Sequence, residues 1–236
     1  MGFLYEIGPT LMGVVAALLI TGYCWSRVRL ASLLVMVWVS AAAVLGQMTI
    51  FPGFPNWRES DWQGFGLFGV LAFTPAALLI LTLFRSKKMR GALELIPTSA
   101  LVMTQVYRFG GLFLIVAYLD GQLPFQVGLV SGVLDTIVAA LSIALGVHLR
   151  SNEASARRLV VAWSALSLAD FGWALLLISA SFLGLANLSP APVMMGNPPL
   201  LVISLFAMPL GVFVSVYAML RATRWAHLRW VVDRVE

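Results

Sequence analysis

The feature that most constrains this chain is a series of apolar runs, each about 20 residues long, separated by short polar connections. A helix of about 20 apolar residues is long enough to cross the hydrocarbon core of a bilayer. Hydrophobic residues make up 61% of the chain and charged residues only 11%. In a water-soluble fold this balance would leave a largely apolar surface. The runs therefore predict an all-α, polytopic membrane protein.

We predict seven transmembrane helices that form a single integral membrane domain over residues 1–236. The predicted spans are 8–26, 30–51, 66–84, 92–119, 125–149, 159–184 and 198–220. The longest connections, 52–65 and 186–197, are too short to form a separate soluble domain. A basic C-terminal segment, 221–236, contains two Trp and is expected to form a short amphipathic helix at the membrane interface.

The charge of the connections predicts the orientation of the bundle. Thirteen of the 15 Lys and Arg follow predicted spans 1, 3, 5 and 7, whereas Arg58 is the single basic residue in the connections on the opposite side. Because basic connections stay in the cytoplasm, we predict an external N-terminus and a cytoplasmic C-terminus in the inner (cytoplasmic) membrane of a bacterium. Contact with anionic lipid headgroups accounts for the net charge of +5, so we predict membrane lipids as partners and no nucleic acid.

The sequence contains no enzyme or cofactor motif. Cys24 is the single cysteine, which excludes an internal disulfide and a cysteine metal site. His148 and His227 lie at the predicted cytoplasmic boundary, where they cannot hold a haem within the bundle. No Lys lies in a predicted span, which excludes a retinal Schiff base. We therefore predict a non-enzymatic protein without a metal or motif-bound cofactor, and leave a lipid, quinone or carotenoid open as a ligand.

Three ionisable residues, Arg108, Asp135 and Asp170, lie inside predicted spans. At about 1.5 Å rise per residue, they lie roughly 18, 16 and 21 Å below the predicted outer surface. These depths agree within about one helical turn, near the middle of the bilayer. An unpaired charge at such a depth costs at least a few kcal/mol. We therefore expect Arg108 to lie within direct or one-water reach of Asp135 or Asp170.

Polar residues at helical spacing extend this expectation to a seam between predicted spans 4, 5 and 6. Gln105 lies three residues before Arg108 and shares its helix face. Ser131 and Ser167 lie four and three residues before an Asp, close enough to hydrogen-bond it. The predicted seam consists of Gln105, Arg108, Ser131, Asp135, Ser167 and Asp170, and serves either as an ion or proton site or as a structural salt bridge.

Two glycines indicate which helices lie closest together. Gly128 and Gly132 are spaced as in helix-packing motifs of membrane proteins, and we predict that they bring span 5 close to span 4. Asp135 is then expected to be the partner of Arg108. Since one Arg cannot neutralise two ionised Asp, the second carboxyl group, Asp170, is expected to hold a proton or a cation.

The second half of the chain contains an ordered set of motifs. Gln105-Val-Tyr-Arg108 is followed by Gly121-Gln-Leu-Pro124, Gly132-Val-Leu-Asp135 and Asp170. This set, within residues 90–222, resembles a family of small, uncharacterised bacterial integral membrane proteins. The resemblance implies a seven-span architecture and emphasises the polar residues of the motifs, but it implies no reaction.

Three functions remain open. The first is a small proton- or cation-coupled carrier or channel that uses the seam, expected to be a homo-oligomer because the chain is short for a monomeric carrier. The second is a non-catalytic accessory or assembly subunit of a larger membrane complex, which fits the short connections. The third is a binder of a lipophilic ligand, for which Trp163 and Trp173 lie near the seam. An intramembrane enzyme acting on lipid is less favoured, since no nucleophile–base pair is evident.

Overall fold

The computed structural model describes residues 8, 9, 11–15, 18, 36–38, 40–42, 44, 62–151, 156–197 and 199–232. In these ranges the chain is helical, with connecting turns and no β-strand. Much of predicted spans 1 and 2, and the connection between spans 2 and 3, lies outside the described residues. The all-helical fold class predicted from the apolar runs is confirmed for the described part of the chain.

Seven α-helices follow one another from residue 62 onward. They are α1 (Trp62–Arg85), α2 (Lys87–Glu94), α3 (Thr98–Met103), α4 (Gly111–Leu119), α5 (Gly132–Ser151), α6 (Arg157–Phe182) and α7 (Met208–Val232). Shorter helical segments complete them: 3-10 turns at Thr104–Gly110 and Val193–Gly196, and π-helical turns at Gln126–Ser131 and Ile203–Ala207. The π turns run directly into α5 and α7, and the first 3-10 turn joins α3 to α4.

Four of the resulting continuous helices are long and apolar enough to cross a membrane. They are Thr98–Leu119, Gln126–Ser151, Arg157–Phe182 and Ile203–Thr223. They correspond to predicted spans 4, 5, 6 and 7. Helix α1 corresponds to predicted span 3, and its apolar part, Gly69–Arg85, is shorter than these four.

Predicted span 4 begins too early in the sequence. Residues 92–94 belong to α2, a short polar helix whose N-terminus is capped by Ser86, the side chain of which accepts a 3.1 Å hydrogen bond from the Met89 N–H. The spanning helix begins only after Pro97, which has an extended backbone (φ −56°, ψ 142°). Proline has no N–H and disfavours helix at the preceding residue, so it separates two helices here.

Predicted span 7 also differs at both ends. Pro199 and Leu200 form a turn, so the spanning helix starts later than residue 198. At its other end α7 continues to Val232 without a break, whereas a separate interfacial helix was expected from residue 221. No Gly or Pro follows Gly211 to end the helix.

A proline within α7 leaves a backbone carbonyl without its helical hydrogen bond, and a side chain distant in the sequence donates to this carbonyl instead. Pro209 has no N–H for the carbonyl of Leu205, four residues earlier. The indole Nε1 of Trp38 donates to that carbonyl at 3.2 Å. This hydrogen bond joins Trp38, in the first third of the chain, to the π turn that leads into α7.

Glycines bring α4 and α5 into close contact, as the spacing of Gly128 and Gly132 predicts. A Cβ atom at Gly132 would lie 2.7 Å from the carbonyl oxygen of Gly111, and one at Gly128 would lie 2.6 Å from the Tyr118 Cβ. Conversely, a Cβ atom at Gly111 would lie 2.5 Å from the Cβ of Asp135. Only glycine fits at these positions, and Gly111 is the partner that sequence reasoning missed. The contact places Asp135 beside the residues that follow Arg108.

Candidate functional site

The centre of the bundle holds Arg108, whose side chain is 1% exposed. Its guanidinium group donates hydrogen bonds through all three nitrogens. Nε donates to Asp135 Oδ1 at 2.5 Å, Nη1 to Ser167 Oγ and Nη2 to Asp170 Oδ2. The 3-10 turn that carries Arg108 is thereby joined to α5 and α6. The structure places Arg108 in direct contact with both carboxylates, in agreement with their common predicted depth.

Two further residues complete the surroundings of the guanidinium group. Its Cζ lies 4.1 Å from the centroid of the Phe171 ring, a cation–π geometry. Ser167, which accepts from Arg108, also exchanges a 2.8 Å hydrogen bond with Ser215 of α7. Phe171 and Ser215 were not predicted from the sequence. Phe and Ser residues are common in membrane helices, and only packing decides which Phe contacts Arg108 and which Ser contacts Ser167.

The expectation that Asp135 alone pairs with Arg108 is wrong. The planar guanidinium fork presents N–H groups in several directions, so that it bridges two acids on different helices. One oxygen, Asp170 Oδ1, is buried without a hydrogen-bond partner among the described residues. Arg108, Asp135 and Asp170 form the charged cluster. With all three groups ionised, this cluster carries a formal charge of −1.

Gln105 is buried but does not reach the carboxylates. Its Nε2 donates to the Gly211 carbonyl of α7 at 3.3 Å, and its Oε1 has no partner among the described residues. One turn of 3-10 helix, about 6 Å long, separates it from Arg108. Nearby, the Tyr107 hydroxyl donates to the Ala207 carbonyl at 2.8 Å, a contact that sequence reasoning missed. Gln105 therefore bonds to α7 and Tyr107 to the π turn before it, and neither hydrogen-bonds to the charged cluster.

Ser131 does not form the expected hydrogen bond with Asp135. Its hydroxyl is buried, and no described residue bonds to it. Asp135 Oδ1 accepts instead from Arg108 Nε.

A cavity of about 140 Å³ lies next to the cluster, toward the ends at which α5 begins and α6 ends. Its polar lining residues are Ser131, Asp135, Asp170, Ser179 and Ser204. Its remaining wall is mostly apolar and includes Phe73 of α1 and Ala174 of α6. The two unpartnered oxygens, Asp170 Oδ1 and Ser131 Oγ, thus belong to residues that share one cavity.

A smaller cavity of about 30 Å³ also borders the cluster. Arg108, Asp135, Tyr107 and Gly111 are among the residues that line it. This volume is sufficient for one or two water molecules. Asp135 lines both cavities, as do Phe171 and Ile203.

The tryptophans proposed for a lipophilic ligand face elsewhere. Trp163 is buried and donates to the Val138 carbonyl at 3.3 Å. Trp173 is 40% exposed and donates to the Gln126 carbonyl at 3.2 Å. Neither lines one of the two cavities described above. Their ring nitrogens instead join α6 to backbone carbonyls in and before α5.

Comparisons place this site within a family. No curated protein and no solved structure matches the chain. The family described as a domain of unknown function, DUF8737, matches residues 66–223. The matched region contains most of α1, all of α2 to α6, most of α7 and every residue of the charged cluster. The match covers more than half of the length of the chain, so this chain belongs to the DUF8737 family.

Proposed function

We propose that this protein is a small membrane carrier in which the cluster of Arg108, Asp135 and Asp170 binds and releases one proton or monovalent cation. The observation that carries the proposal is the excess of acid: one buried guanidinium group contacts two buried carboxylates. Guanidinium groups stay protonated, so the missing positive charge must come from a proton or a bound cation. Exchange of that charge is the elementary step of coupled transport.

Asp170 is the residue that we assign to this exchange. Its Oδ2 accepts from Arg108, whereas its Oδ1 has no partner among the described residues and the residue lines the larger cavity. A charge that leaves this position has a path into the cavity, which a salt bridge enclosed on all sides would lack.

The proposal includes a topology of seven spans, with the N-terminus outside and the C-terminus in the cytoplasm of a bacterial cell. Four apolar helices and the strong asymmetry of Lys and Arg support it. In a Cys24→Ser background, a cysteine at Lys87 should be protected from a membrane-impermeant thiol reagent in intact cells. A cysteine at Asp120 should react. The reverse pattern would overturn the orientation.

Proton or cation flux into proteoliposomes tests the transport step. The purified wild-type protein should dissipate an imposed gradient, and Asp170→Asn should abolish the flux by removing the exchangeable charge. Asp120→Asn is the matched control, because Asp120 is exposed in the turn after α4 and touches no residue of the cluster. Equal flux in all three proteins would contradict the assignment of Asp170.

A structural role for the cluster is the second candidate, favoured by the way Arg108 joins two neighbouring helices. In that case the protein would be a non-catalytic subunit or assembly factor of a larger membrane complex. Mild purification from native membranes distinguishes the two. A homo-oligomer that supports flux favours the carrier, whereas co-isolation with several other subunits and no flux favours the accessory role.

A further inference from the structure

We infer that the larger cavity is a binding site for a small organic cation, an alkylammonium ion of about six non-hydrogen atoms or fewer. The inference deepens the proposed function by naming the class of solute, and it rests on that function in one respect, the excess negative charge of the cluster. The charge, the lining and the volume of the cavity together select this class of ligand.

The charge at the cavity wall selects a cation. Asp135 and Asp170 both line the cavity, and one guanidinium group serves both of them. The unpartnered Asp170 Oδ1 is a charge-bearing acceptor, and the unpartnered Ser131 Oγ is a second acceptor on the same wall. Asp170 and Ser131 are both 3% exposed, so bulk water does not hydrogen-bond to these oxygens. An ammonium group has three N–H donors and could satisfy both oxygens at once.

The rest of the lining selects an organic cation over a metal ion. Metal ions such as Ca²⁺ and Mg²⁺ require about six or more oxygen ligands. The polar residues of the lining are two carboxylates already bonded to Arg108 and three serines, whereas most of the wall consists of apolar side chains such as Phe73, Ala174 and Ile178. An alkyl group would pack against these side chains, and the Phe73 ring adds an aromatic surface suited to a cation. A bare alkali ion would leave most of this wall without a contact.

The volume limits the size of the ligand. At about 140 Å³, the cavity is close to the engineered apolar cavity of about 150 Å³ that binds benzene. A propyl- or butylammonium ion fits this space, whereas a long-chain amine would project out of it. Since the cavity lies toward the predicted outer end of the bundle, the ligand would enter from outside the cell.

Thermal unfolding of the full chain in detergent micelles tests the inference. n-Propylammonium chloride, ionised at neutral pH, should raise Tm with a saturable dependence on concentration. Sodium chloride at equal ionic strength and n-propanol at equal concentration should give no saturable increase. An equal effect of n-propanol would mean an apolar pocket without charge selection, and an equal effect of sodium would mean an alkali-ion site. Either result overturns the inference.

Variants locate the binding. Asp170→Asn should weaken the apparent affinity for propylammonium by about tenfold or more, since a charge-assisted hydrogen bond is lost. Ser131→Ala should weaken it by several-fold, whereas Thr136→Ala, on the same helix, removes a hydroxyl outside the cavity and should have no effect. Ala174→Leu should abolish binding by filling the cavity without touching Arg108. Unchanged affinity in Ala174→Leu and Ser131→Ala would place the amine elsewhere and overturn the inference.

The two proposals can fail separately. Flux measured without any amine should depend on Asp170 and be unchanged in Thr136→Ala, which removes a hydroxyl outside the cavity. If this flux is present but propylammonium does not bind, the inference about the ligand is wrong and the proposed exchange at Asp170 stands. If propylammonium binds at the cavity but no flux is found in any condition, the site is a cation binder and the carrier function is wrong.

Discussion

Removal of the Arg108 side chain is the most informative single perturbation of this protein. Arg108→Ala deletes three charge-assisted hydrogen bonds and the contact with the Phe171 ring. It leaves two buried carboxylates without a counter-charge. The change therefore tests whether the cluster has the electrostatic balance on which both proposals depend.

The expected loss follows from these contacts. Removing one partner of a buried ion pair costs about 3–5 kcal/mol, because a buried charge is left uncompensated. Here the guanidinium group serves two carboxylates and Ser167, which places the expected value at the upper end, about 4–5 kcal/mol. For a chain of this length that corresponds to a decrease in Tm of about 10–20 °C. Without Arg108, the two carboxyl groups can take up protons, which limits the loss of stability. The loss is therefore smaller than the sum of three hydrogen-bond energies.

Thermal unfolding of purified protein in detergent, followed by circular dichroism, measures the effect. The deficit of Arg108→Ala relative to wild type should be smaller at about pH 5 than at about pH 8, because acid supplies the protons that neutralise the two acids. Arg108→Lys should recover only part of the loss, since an ammonium group lacks the planar fork that reaches three acceptors. Arg158→Ala, at an exposed arginine of α6, is the matched control and should leave Tm nearly unchanged. A loss in Arg108→Ala no larger than in this control would refute the reasoning.

Three further outcomes follow from the structure. Gly132→Ala should destabilise the protein by about 2 kcal/mol or more, because the new Cβ would lie 2.7 Å from a backbone oxygen. Gly172→Ala, where the new Cβ would have no atom within 4 Å, should be neutral or stabilising by up to about 1 kcal/mol. Thermal unfolding of the two variants checks this, and equal effects would contradict the close α4–α5 contact. Tyr107→Phe should cost about 1–2 kcal/mol in the same assay, since it leaves the Ala207 carbonyl without the tyrosine hydroxyl, and a gain in stability would argue against this contact. Asp170→Asn should change stability by less than about 1 kcal/mol, because the amide oxygen can still accept from the guanidinium group and the excess acid is removed; a loss as large as that of Arg108→Ala would favour the purely structural role.

Sequence periodicity and depth were sufficient to predict the centre of this site. A helix rises by a nearly constant 1.5 Å per residue, so the position of Arg108, Asp135 and Asp170 along their spans fixed their depth. The cost of an unpaired charge in hydrocarbon then required that they meet. The spacing of Gly128 and Gly132 predicted the close helix pair for a similar reason, since only small residues allow two backbones to approach.

Tertiary structure decided how the residues around this centre are used. Local sequence carries no reliable signal for the π turn at Gln126–Ser131, and no pattern along span 5 shows that Ser131 lines a cavity while Asp135 contacts Arg108. The roles of Phe171 and Ser215 depend on which faces α6 and α7 present to each other, and the sequence of one helix does not contain that information. The cavity likewise exists because side chains from several helices fail to fill the space beside Asp170. Depth is a property of a single helix, whereas contacts and empty volume arise only when helices pack together.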